Sequence, residues 1–201
     1  DMVEEDAVTD VTDATDMAEE DGSTGVGLLL ITEIVDATLT GGLPKWVELT
    51  NVGDGSVDLS DYSIGVYANG NTTLSGSSGS IPLIGTLMPC ESWIVSFEGG
   101  DTIGTSTFHD VYGTDADDMQ AGANYNGNDV VALFFGDATG TGTDATPADI
   151  YGVIGVDGSG EIWEYTDSHS ARLMNATPTF SACSGGSSYA GCYNDTFGTG
   201  S

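Results

Sequence analysis

The chain has 201 residues, 32 acidic against two basic (Lys45 and Arg172), for a formal net charge of −30. That balance excludes a phosphate-binding, nucleic-acid surface and docking on bare anionic lipid, both of which need clustered cations. Self-repulsion at this charge implies a setting rich in salt or divalent counter-ions.

Residues 1–25 carry ten of the acids and neither a basic nor an aromatic residue. Asp10, Asp13 and Asp16 alternate every third position with Val8, Val11, Ala14 and Met17. A period of three matches neither helix nor strand and suits an extended, polyproline-like arm. Two readings stand for it: a self-repelling linker, or an assembly arm whose Val8, Val11, Ala14 and Met17 dock on a neighbouring subunit. The chain opens on Asp1 rather than Met, so a removed leader is expected.

The folded part is expected over 26–174. A buried first strand lies at 27–35, and a Gly-Gly-Leu-Pro turn follows at 41–44. The run 45–50 alternates, with Trp46, Glu48 and Thr50 on one face and Val47 and Leu49 on the other. Residues 57–67 read as a short strand or turn followed by an alternating strand, and Asn69-Gly70 as a hairpin turn. Short apolar pieces at 81–84 and 85–89 precede a strand at 92–97. A polar excursion spans 99–123. The central hairpin is then expected, its arms Asn126-Gly-Asn-Asp-Val-Val-Ala-Leu-Phe-Phe135 and Ile150-Tyr-Gly-Val-Ile-Gly-Val156. Two more strands are expected at 161–165 and 170–174. Thirty glycines and the absence of sustained helical periodicity fit the same fold class: all-β, a β-sandwich with an extended N-terminal arm. The segment 175–201 is rich in Gly, Ser and Thr. Within it Cys183 and Cys192 enclose a short loop and are the expected disulfide. Cys90 is left over, as a buried thiol or an intermolecular link.

The order of these pieces resembles the lamin tail domain family, an immunoglobulin-like β-sandwich. The matching residues are Leu30-Ile-Thr-Glu-Ile34, Trp46-Val-Glu-Leu-Thr-Asn51 and Val57-Asp-Leu-Ser-Asp-Tyr-Ser-Ile64. They continue with Gly85-Thr-Leu-Met-Pro89, Trp93-Ile-Val95, Asn126-Gly-Asn-Asp-Val-Val-Ala-Leu133, Asp149-Ile-Tyr-Gly-Val-Ile-Gly-Val156 and Ala171-Arg-Leu173. Cys90 and Asp61 stand where the family commonly has a turn glycine. The resemblance implies a fold and an accessory role on secreted or surface proteins of bacteria, with no catalytic set.

Read residue by residue, the chemistry is sparse. His109 and His169 are the only histidines. Thr166-Asp-Ser-His-Ser170 holds Ser, His and Asp together, but adjacency in sequence is not triad geometry. No closely set Cys/His ligands for zinc occur. Oxygen ligands for calcium cluster at 54–61 and again in Asp115, Asp117 and Asp118 with Asn124, Asn126, Asn128 and Asp129. Asp115, Asp117, Asp118, Asn128 and Asp129 form the candidate metal set, against the alternative of solvated acidic loops. Glu33 and Glu48 are expected to pair with Arg172 or Lys45. Tyr125, Trp163, Tyr189 and Tyr193 are candidates for an aromatic binding platform.

The expectation is a non-catalytic, exported extracellular or cell-surface structural protein. It would self-associate into a filament or sheath, or bind another surface protein, through the arm or its edge strands. The alternative is a calcium-dependent adhesion module that binds glycan or protein. No run reaches the ~18–20 apolar residues of a membrane-spanning helix.

Overall fold

The computed structural model describes residues 25–76, 79–97, 106–120 and 124–173, and the backbone of 197–200. The arm positions Val8, Val11, Ala14 and Met17 lie outside the described residues, as do Cys183, Cys192, Tyr189 and Tyr193. Among the described residues the chain is all-β, with one six-residue helix and one 3-10 turn.

The elements in order are β1 (Leu29–Leu39), β2 (Leu43–Asn51), β3 (Val57–Asp58), the 3-10 turn (Leu59–Asp61), β4 (Tyr62–Tyr67), β5 (Ile81–Pro82), β6 (Thr86–Leu87) and β7 (Ser92–Ser96). They continue with α1 (Thr107–Tyr112), β8 (Asp118–Met119), β9 (Val130–Phe135), β10 (Thr146–Tyr151), β11 (Ser168–Arg172) and β12 (Phe197–Gly200). A six-stranded sheet runs β12-β11-β1-β2-β7-β8, and a four-stranded sheet runs β10-β9-β4-β5. Neighbours are antiparallel except β7 and β8.

One core is shared by both sheets. Ile31, Ile34, Val47, Leu49 and Val95 come from the larger sheet, and Ile64, Val66, Val131 and Leu133 from the smaller. Each such side chain, fully removed from water, stabilises the fold by about 1.5–3 kcal/mol. β2 alternates as its sequence predicts: Val47 and Leu49 enter this core, while Trp46 lies in a second cluster with Val35 and Phe108. α1 builds that second cluster. Ser106 caps it by accepting the His109 N–H, and Gly113 ends it at φ 74°. Phe108 and Tyr112 then meet the Trp46 ring edge-on, and Trp46 Nε1 donates to the Tyr112 hydroxyl.

β9 is buried on both faces, as its continuous apolar run predicts. Its second face is roofed by loops: Phe134 and Tyr67 pack under Gly142, and the Tyr67 hydroxyl donates to the Thr141 carbonyl. Its partner arm differs from the expected 150–156. β10 begins at Thr146 and stops at Tyr151, because Gly152 and Gly155 take φ values of 100° and 86° that turn the chain away. The expected strand at 161–165 is a series of turns, with Glu161 N–H bonded to Gly158 O and Glu164 N–H to Glu161 O. Burial still alternates there: Trp163 and Tyr165 are enclosed while Ile162 is exposed.

Cys90 is exposed, not buried. It sits at φ 66° in the turn before β7, the conformation for which a glycine is the ordinary choice.

Candidate functional site

The chain's two basic residues are both buried, each against an aspartate, and neither pairs with Glu33 or Glu48 as expected. Register explains the first pair. Asp36 on β1 stands directly opposite Lys45 on β2, so the side chains share one face. Lys45 Nζ lies 2.5 Å from Asp36 Oδ1. It also donates to Asn126 Oδ1 at 3.1 Å. The other Asp36 oxygen accepts the Gly127 N–H at 2.7 Å. The Asn126-Gly127 turn, which the sequence marks only as a turn, is therefore moored to this pair.

The second pair closes the end of a ladder. The β1–β11 pairing stops at Glu33 and Ala171, so Ile31, opposite Leu49 on the β2 side, has no ladder partner on the β11 side. Asp149 of β10 accepts the Ile31 N–H at 2.9 Å, and Arg172 Nε donates to the Ile31 carbonyl at 2.7 Å. Arg172 and Asp149 are joined by an ion pair, with side chains only 4% and 0% exposed. This pair ties the two sheets together. Glu33 remains on the outer face, where burial raises its carboxyl above the usual range, His169 lowers it and Glu48 raises it.

The Lys45–Asp36 pair is the floor of an open cleft of about 460 Å³. Gly41, Gly42 and Asn126 stand beside the pair. Asn128, Ser159, Glu164, Thr166 and Asp167 form the rim. A Cβ on Gly42 would fall 2.1 Å from Asp36 Oδ1 and 2.6 Å from Lys45 Nζ, so bare backbone is required at this wall. Below the cleft Asp129 accepts the N–H groups of Asn126 and Asn69, both at 2.8 Å. Burial raises the Asp129 carboxyl against those two bonds, which lower it.

The structure does not assemble the five-residue metal set. Asp115 bonds His109 Nδ1 at 3.0 Å, Asp117 accepts the Ile94 N–H at 2.8 Å, and Asp118 accepts from Gln120. Asp115 and Asp117 lie in the loop between α1 and β8, and Asp118 opens β8. Asn128, which donates to Asp157 and Ser159, and Asp129 belong to the turn before β9. Among the described residues no group of three or more His, Cys, Asp or Glu is placed to hold a metal ion. At 54–61, Asp54 accepts the Val26 N–H and Asp58 caps the 3-10 turn.

The Thr166–Ser170 run is likewise divided by strand alternation. Ser170 points inward, with its Oγ 2.7 Å from the Tyr151 hydroxyl, while His169 is on the exposed face. Two of the four aromatic-platform candidates are enclosed rather than exposed, and the other two, Tyr189 and Tyr193, lie outside the described residues. Tyr125 and Trp163 are 0% and 1% exposed, and the Tyr125 hydroxyl donates to the Val35 carbonyl.

No protein-family model matches the chain, and no curated protein and no solved structure is significantly similar to it. Among the described residues no helix is long and apolar enough to cross a membrane.

Proposed function

We propose that this chain is an exported, non-catalytic structural domain, an immunoglobulin-like β-sandwich of lamin-tail type, that self-associates at an extracellular or cell surface through one edge of its larger sheet. The observation that carries the reading is β12. Phe197–Gly200 adds to the outer edge of β11 by backbone pairing, with Ser170 opposite Thr199 and His169 opposite Gly200. Antiparallel neighbours need only a two-residue turn, yet residues 173–196 separate these two strands. The same short segment supplied by a second copy would make the same ladder, which is strand addition in its simplest form.

The other edges support the choice by being blunted. β5 is two residues long and contains Pro82, and β8 is two residues long and starts with Asp118. β10 carries Pro147 and a register break between Pro147 and Asp149. Two sheets sharing a core, and the family-like pieces falling largely on strands, support the sandwich assignment.

The test is sedimentation and negative-stain microscopy of the full chain at low and high salt, with calcium and with chelator. It is repeated on Thr199→Pro, which removes a backbone donor from β12. Fibres, sheets or closed oligomers that disappear in the variant are the expected result. A monodisperse monomer in every condition would refute self-association.

A further inference from the structure

The cleft over Lys45 has a composition that assembly through β12 does not explain. Lys45 is buried, with 1% of the residue exposed, and its ammonium gives two of its three N–H groups to Asp36 and Asn126. The third has no partner among the described residues, although the residue lines the cleft. An ammonium so enclosed wants one more acceptor oxygen. The rim supplies the opposite kind of group. Glu164 and Asp167 offer carboxylate oxygens. Glu164 is held in place by the Gly160 N–H at 2.7 Å and the Thr166 hydroxyl at 3.0 Å, which leaves each of its oxygens a further lone pair. Asn128, which donates to Asp157 and Ser159, keeps its carbonyl oxygen as an acceptor.

Charge narrows the occupant. Lys45 is cancelled by Asp36, so Glu164 and Asp167 leave the mouth negative, and the rest of the molecule adds to that field. Phosphates and carboxylates are repelled before they reach the floor. Among the described residues a metal cation finds no set of three acidic or histidine ligands, and the floor donor is itself positive. A neutral molecule with neighbouring hydroxyls meets neither objection. One oxygen accepts from Lys45, while other hydroxyls donate to the rim carboxylates in charge-assisted bonds. The wall at Gly41 and Gly42 has no side chain to stand in its way.

We propose that this cleft is a binding site for a neutral polyhydroxylated ligand, one sugar unit of a glycan, with Lys45 as the donor at its floor and Glu164 and Asp167 as acceptors at its rim. The site is independent of self-association: a monomer would bind as well as an assembly. Among the described residues no aromatic lines the cleft, so these groups recognise a sugar by hydrogen bonding alone and bind a single unit weakly.

The test is saturation-transfer NMR on the full chain with glucose, galactose, mannose and N-acetylglucosamine. Glucuronic acid, inorganic phosphate and calcium chloride serve as competitors. The expected result is a signal from at least one neutral sugar that neither phosphate nor calcium displaces, and a much weaker signal from glucuronic acid. Thr166→Trp, at an exposed rim position, should abolish the signal by filling the mouth. Glu164→Ala should weaken binding by roughly tenfold through one charge-assisted bond. Thermal melts of both variants establish that they are folded, and Glu164→Ala decides if Thr166→Trp is not. The proposal is overturned by silence from all four sugars, by preferential binding of phosphate or calcium, or by undiminished binding in the folded variants.

Discussion

Replacing Arg172 by Met should cost about 4 kcal/mol of stability, and the figure follows from what the guanidinium leaves behind. Asp149 is 0% exposed, so its carboxylate would stay buried with the Ile31 N–H at 2.9 Å among its remaining donors. Breaking a buried pair from one side costs about 3–5 kcal/mol, because the surviving charge is uncompensated. The Ile31 carbonyl also loses its Arg172 donor, and a buried acceptor left unmade costs about 1–3 kcal/mol. The two overlap, since relaxation that rescues one exposes the other to water. A 4 kcal/mol loss lowers the melting temperature by about 8–16 °C in a domain of this size. Urea is the denaturant for this measurement, since guanidinium would itself screen a chain of charge −30. A paired control decides the cause. Asp149→Leu combined with Arg172→Met removes both charges and should recover most of the loss. A single-variant loss under about 1 kcal/mol, or a double variant no more stable than the single, would refute the assignment of Arg172 as the compensating charge.

Burial pushes the phenols of Tyr125, Tyr151 and Tyr165 above the ordinary tyrosine value. A raised folded value means that their contribution is fully present below about pH 10 and is lost as pH rises beyond it. Phenolate absorbance and near-ultraviolet circular dichroism should therefore change together for these three; one smooth titration of all eight tyrosines ahead of any loss of dichroism would contradict the burial argument. Salt should raise the melting temperature steadily as the screening length falls from ~30 Å at 0.01 M to ~3 Å at 1 M. Neither Lys45 nor Arg172 is exposed, so salt has mainly repulsions to weaken, and a flat or falling curve in sodium chloride would count against that picture.

What was legible in the sequence was burial, and where burial and strand pairing coincide the strands were legible too. β2, β4, β7 and β9 lie where alternation or a continuous apolar run predicts them. The two diverge at 161–165. Trp163 and Tyr165 obey a period of two because both reach back into the core, yet the backbone bonds are local turns and one tie from Tyr165 N–H to the Gly127 carbonyl. The same ambiguity misplaced the aromatics: a Tyr or Trp in a polar loop reads as exposed, while Tyr125 in fact bridges to β1 through its hydroxyl. Ion pairing was illegible for a different reason. Lys45 and Asp36 meet because of a register that only the folded hairpin sets, and Arg172 and Asp149 meet across two sheets. The acidic residues of 115–118 and 128–129 looked like one ligand set because spacing along a chain says nothing of which sheet edge each piece joins.

The placement of the two cations bears on function. A chain with 32 acids and two bases could spread its positive charge over the surface, where each cation would offset little at high ionic strength. It encloses both instead. Arg172 holds the larger sheet to the smaller at the strand that accepts β12, and Lys45 holds the Asn126-Gly127 turn under the cleft. The strand that presents the pairing edge and the turn that floors the cleft are thus each fixed by a buried charge, while the acidic exterior is left without an arginine or lysine. A surface of one sign keeps copies apart by repulsion until counter-ions screen it. Backbone pairing at an edge needs no charge complementarity, so it is the form of association such a surface can still use once screened. A neutral ligand is, by the same reasoning, the kind its cleft can still admit.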